Sequence, residues 1–113
     1  MFESKEQKML KFLQKENWEK IEKNYLNGDD ATRLALAEAC GNISNNISAN
    51  VLGILIRDKD KRVQLTAVKN LGKIGSEHHV AELQQLMQKV GPEDKELTDA
   101  IHTAIKAVRV KAS

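Results

Sequence analysis

Three features of this chain have residue types that could do chemistry. Gly72-Lys73-Ile74-Gly75 is a G-x-x-G, and His78-His79 follows it closely. A third histidine, His102, and a single cysteine, Cys40, stand apart. A G-x-x-G between two helices can grip nucleic-acid backbone when a sheet supports it, but no strand candidate flanks these glycines. A metal needs three or four converging ligands, and adjacent residues on a helix diverge by about 100°. His78 and His79 therefore do not converge on one ion. Cys40 lies among apolar residues, which raise a thiol's pKa rather than activate it. We expect no catalytic residue, no metal site and no cofactor.

The charged residues offer one further possibility. Residues 57–73 hold six basic side chains, Arg57, Lys59, Lys61, Arg62, Lys69 and Lys73, against two acidic ones, Asp58 and Asp60. Such a patch can neutralise nucleic-acid phosphates. A net charge of +2 and only 4% aromatic residues favour a solvated face instead. Glu3, Glu6, Glu16, Glu19 and Glu22 interleave with Lys5, Lys8, Lys11, Lys15, Lys20 and Lys23, the pattern of an exposed helical surface.

The elements that position these residues follow from composition and periodicity. A chain of 113 residues suits one domain, with 30% charged and 41% hydrophobic residues. There is one proline, Pro92, and there are few β-branched runs, which favours an all-α fold. No apolar run is long enough to span a membrane. The start, MFESKEQKML, lacks the apolar core of a signal peptide. A cytoplasmic location is the expectation.

The chain repeats itself. Residues 32–44 align with 63–75 at an offset of 31, so that Leu36 meets Ala67, Cys40 meets Leu71, Gly41 meets Gly72 and Ile43 meets Ile74. The register continues through Ala49 with Val80, Leu52 with Leu83 and Ile56 with Met87. A third copy, 97–108, fits at an offset of 34, with Leu97, Ile101, Ile105 and Val108 in the apolar slots. A fainter copy places Trp18, Ile21 and Tyr25 before Ala49, Leu52 and Ile56. The three-to-four spacing predicts helices near 3–15, 17–26, 30–42, 46–57, 60–73, 77–90 and 93–110. Asp29, Asp58 or Asp60, Ser76 and the Pro92-Glu93-Asp94 run suit helix starts. Gly72 and Gly75 suit a helix end and turn. One domain, 1–113, divides into units 1–28, 29–58, 59–91 and a half-unit 92–113.

These units resemble HEAT repeats, in particular the short HEAT-like repeats of the phycobilin-lyase-like type. The family's acidic turn, its V-R-x-x-A and its A-L-G-x-I-G appear here as Asp60, Val63, Ala67, Leu71-Gly72 and Ile74-Gly75, followed by Leu83 and Leu86. The first clear unit keeps Arg33, Leu36, Gly41 and Ile43 and departs at Thr32, Cys40 and Ser44; Gln64 stands where the family has arginine. The resemblance implies a right-handed α-solenoid of stacked two-helix repeats. It implies a binding scaffold whose second helices line a concave face. HEAT-like hydroxylases hold iron with His-Glu pairs, and neither His79 nor His102 is followed by glutamate.

On that concave face the expected partner-binding positions are Lys20 and Lys23, then Val51 and Ile54, then Glu82, Gln85 and Lys89. Val51 and Ile54, if exposed, form the natural contact centre for a protein or peptide partner. The basic 57–73 segment is the alternative, for nucleic acid. The last helix, with Ile101, Ile105 and Val108 beside Ala100, Ala104 and Ala107, also suits self-association.

Overall fold

The computed structural model describes residues 3–112. Seven helices follow one another: α1 (Lys5–Gln14), α2 (Trp18–Ile21), α3 (Asp30–Cys40), α4 (Asn46–Leu55), α5 (Lys61–Ile74), α6 (Glu77–Lys89) and α7 (Lys95–Ala112). A π-helical turn, Glu22–Leu26, prolongs α2. Among the described residues there is no strand.

Each start has a local chemical cause. A helix leaves its first amides unpaired, and a short polar side chain just before it accepts from them. Asp29 accepts from Thr32 N–H at 2.8 Å and Asn45 from Ser48 N–H at 2.9 Å. Asp60 accepts from Arg62 and Val63 N–H at 2.9 and 3.2 Å, and Asp94 from Leu97 N–H at 3.2 Å. Of the two aspartates offered for α5, Asp60 is therefore the cap, and Asp58 has another task. At α1, Ser4 and Gln7 exchange backbone-to-side-chain bonds at 3.1 and 2.8 Å.

The core follows the repeat. Leu36, Ala67 and Ile101 are buried in equivalent slots, as are Leu52 and Leu83. The slot of Cys40 and Leu71 is buried in two units, but Ile105 in the third is only half-buried. Helix α5 is the hub. It packs against α3, α4 and α7, while α1 lies on α3 and α6 on α7.

Glycine sets how closely the first helices approach. A Cβ on Gly72 would lie 2.7 Å from the Ala104 Cα, so α5 and α7 meet backbone to backbone there. Gly72 is thus a packing residue inside α5, not the end of that helix. Gly75 follows the helix in an extended conformation, φ −73° and ψ 170°, which any residue adopts. No glycine has a positive φ; among the described residues the one left-handed residue is Glu16, between α1 and α2, at φ 54°.

Candidate interaction surface

The second helix of each unit supplies the candidate surface. Val51 is 0% exposed, against the expectation that it offers itself to a partner. The reason is geometric. Helix α4 packs against both α3 and α5, so its buried stripe is wide and takes in Ser48, Ala49, Val51, Leu52 and Leu55. Ile54 points the other way and is 51% exposed. It is one of two large apolar side chains left exposed among the described residues, the other being Val110.

Ile54 has polar neighbours close by in the chain and across the helix pair. The Glu82 carboxylate of α6 lies over Gly53, where a Cβ would come within 2.7 Å of its Oε2. Glu82 is half-buried there, and Gln85, one turn on, is exposed. Arg57 Nη1 donates to Gly53 O at 3.4 Å. Lys89 ends α6 and is exposed, as are Lys20 in α2 and Lys23 in the π turn.

The basic segment divides. Lys61 pairs with Asp94, and Arg62 lies 3.8 Å from Asp60. Lys69 shares a groove between α5 and α7 with Glu96 and Asp99. Arg57, Lys59 and Lys73 are exposed. The six do not form one uninterrupted cationic face, because acidic groups stand beside three of them.

The histidine pair separates too. His78 is exposed, whereas His79 is buried. The Ser76 backbone N–H donates to His79 Nδ1 at 3.0 Å. His79 thus fills the position that Glu or Gln takes in a capping box. With Nδ1 accepting, the neutral ring carries its proton on Nε2. Burial holds its pKa below the usual imidazole value, against the opposing pull of Glu82. His79 is a helix cap. Among the described residues no group of three His, Cys, Asp or Glu side chains is placed to hold a metal ion. Cys40 is buried, and burial pushes its thiol up to about 12, with the Ser48 hydroxyl pulling less strongly the other way.

Several polar side chains join the helices across long stretches of chain, and periodicity alone does not reveal their partners. Arg33 reaches from α3 to the turn before α5. Its Nε and Nη2 donate to Asp58 at 2.7 and 3.1 Å, its Nη1 donates to Gly28 O at 2.7 Å, and it also pairs with Asp30. Burial opposes the charge on Asp58, yet Arg33 and the Asp60 N–H together hold its carboxyl below the ordinary value. Asn70 donates to Ala37 O at 2.9 Å and Asn45 to Leu13 O at 2.8 Å. Lys111 donates to Lys73 O and Gly75 O at 2.6 and 3.0 Å, which pairs carbonyls at the end of α5. Gln64, in the slot of Arg33, donates to Ile56 O at 2.8 Å. Asn70 fills the space over Gly41, and no local pattern in the sequence marks it.

No helix among the described residues is long and apolar enough to cross a membrane. A family model described as HEAT repeats matches residues 19–109. No curated protein and no solved structure matches the chain.

Proposed function

Because the chain belongs to the HEAT-repeat family, whose members commonly mediate protein–protein interaction, we propose that it is a non-enzymatic scaffold that takes a protein segment on the face of its second helices. In this reading the units, with boundaries near 28, 58 and 91, form one right-handed solenoid in the cytoplasm. The partner lies along its concave side.

One observation carries the reading. Ile54 is a large apolar side chain left half in water on a helix that packs against both α3 and α5. Covering it gains hydrophobic free energy, and polar side chains around such an anchor fix orientation. Glu82 and Gln85 stand on the neighbouring second helix, and Arg57, Lys89, Lys20 and Lys23 supply positive charge. The segment this chemistry suits has one apolar side chain for Ile54 and acidic residues flanking it. Val51, being enclosed, supports the surface from beneath and takes no direct part.

The test is capture of protein from a lysate by wild type and by Ile54→Asp, at low and high salt. A protein whose affinity falls by roughly tenfold or more in Ile54→Asp supports the reading. A partner held equally by both removes it. Nucleic acid held at low salt by both, and released steeply by added salt, transfers the function to Arg57, Lys59, Lys61, Arg62, Lys69 and Lys73.

A further inference from the structure

Helix α7 carries a buried apolar stripe and, beside it, a partly covered stripe of small and polar residues. Leu97, Ile101, Ala104 and Val108 are buried against the body of the molecule. Beside them runs a second stripe, Glu96, Ala100, Thr103, Ala107 and Val110, at alternating spacings of four and three. That is the spacing of a coiled-coil seam. Ala100 and Ala107 are half-buried, Thr103 is exposed, and Val110 is 65% exposed. The stripe forms one wall of an open groove whose other wall is Leu65 and Lys69 of α5.

The charges flanking this seam say what fits it. Asp99 and Lys106 are one heptad apart, on the same flank, and both are exposed. Neither forms an ion pair within 4 Å among the described residues, and Lys69 of α5 lines the same groove as Asp99. A helix running parallel to α7 with the same sequence would set this flank against Leu97, Ala104 and Lys111 of the other copy, which gives Asp99 no counter-charge and sets Lys106 beside Lys111. An antiparallel copy sets each Asp99 against a Lys106. We propose that a second copy of this chain packs antiparallel on α7, with Asp99 of each copy facing Lys106 of the other.

The register follows. Ala100 opposes Thr103 of the second copy, and Ala107 lies against the stem of its Glu96. In an antiparallel pair, flank residues of matching heptad position meet across the seam, which brings Asp99 and Lys106 together twice, once at each end. The small seam residues let the two backbones approach closely, and opposed helix dipoles favour the arrangement. The contact is isologous, so it closes at two copies. This surface is separate from Ile54, so a dimer would leave the proposed partner face unchanged.

The test is sedimentation of the full chain over a wide dilution series, with circular dichroism confirming the helix content of each variant. Wild type is expected to show a concentration-dependent dimer that weakens with added salt. Asp99→Lys alone and Lys106→Asp alone are each expected to be monomeric, because each sets like charges against one another. An equimolar mixture of the two is expected to form a heterodimer, and Asp99→Lys/Lys106→Asp together should restore the homodimer. A wild-type chain that is monomeric throughout overturns the proposal. So does a dimer that survives either single reversal, or one that the mixture fails to restore. Ile54→Asp, run alongside, should leave the dimer intact; loss of dimer there would place the contact on the other face.

Discussion

Gly41 and Gly72 occupy the same slot in consecutive units, and they meet different things. At the junction of α3 and α5, Asn70 fills the space over Gly41, where a Cβ would come within 2.5 Å of its side chain, and it donates across to Ala37 O. At the junction of α5 and α7, Ala104 takes the place of Asn70 and rests its backbone on Gly72. The ionic contacts diverge in parallel. The first junction holds Arg33 and Asp58, whose side chains are 12% and 7% exposed. The second holds Lys61 and Asp94 near the surface. One glycine therefore supports two solutions: a side-chain amide and a sheltered ion pair, or direct contact of two helix backbones. A repeat conserves the space between its helices more strictly than it conserves what fills that space.

Three experiments would break or sharpen this contrast. The largest effect is expected at the sheltered ion pair. Asp58→Ala leaves Arg33 half-enclosed with fewer acceptors, at a cost of about 3 kcal/mol, near the lower end for breaking a buried pair because both side chains keep an edge in water. Lys61→Ala at the other junction should barely move the midpoint, as for exposed pairs generally. Urea unfolding measures both, and equal losses would erase the distinction. Next come the glycines. Gly72→Ala presses a methyl on backbone that cannot yield, so overpacking should outweigh the better helix propensity of alanine by about 2 kcal/mol. Gly41→Ala meets a side chain that can rotate away, at a cost of about 1 kcal/mol for one hydrogen bond. A reversed order would show that Asn70 is the more rigid contact.

The smallest effect is a pH dependence, and it compares the starts of α4 and α6. Asn45 and Ser48 in one unit correspond in register to Ser76 and His79 in the next. Burial holds the folded His79 below the ordinary value of 6.5. The unfolded chain therefore binds this proton first as pH falls. Stability from this group is fully present above about 6.5 and declines as pH drops toward the lower folded value. His79→Gln keeps an acceptor at the capping position and should flatten that slope. The aspartates lie in a separate window. Asp58 is held below 3.8 in the folded state, so its contribution is present above that value and is lost further down. Thermal melts between neutral and mildly acidic pH check this, and an unchanged slope in His79→Gln would assign the dependence elsewhere.

Much of the architecture was legible because it rests on spacing. All seven helices, the repeat offset, and the starts at Asp29 and Ser76 follow from local rules that a single stretch of chain obeys, whereas the choice of Asp60 over Asp58, and of Asp94 within Pro92-Glu93-Asp94, comes from the hydrogen bonds of the fold. What was not legible depends on who the neighbours are. Val51 and Ile54 are three residues apart on one helix, and periodicity cannot tell which flank of a wide apolar stripe a second neighbour covers. Helix α4 touches both α3 and α5, so Val51 is enclosed. Arg33 was visible as a family residue, but Asn70 and Lys111 act across sequence separations of 33 and 36–38 residues, where no local signal exists. Among the candidate surface residues, sequence placed Ile54 on a second helix, and only the packing distinguished it from Val51.

The contact between Gly72 and Ala104 has a mechanical consequence. At Gly72 and Ala104 there is no side-chain rotor between the two backbones to absorb displacement, so α5 and α7 are pinned to one another at that point. At the neighbouring junction the load passes through Asn70 and the long Arg33 side chain, which are levers that can pivot. The α3–α5 junction, next to the helix that carries Ile54, is where a small relative displacement would meet side chains rather than backbone. A segment that seats on Ile54 would therefore bear on the junction where side chains, not backbone, set the spacing.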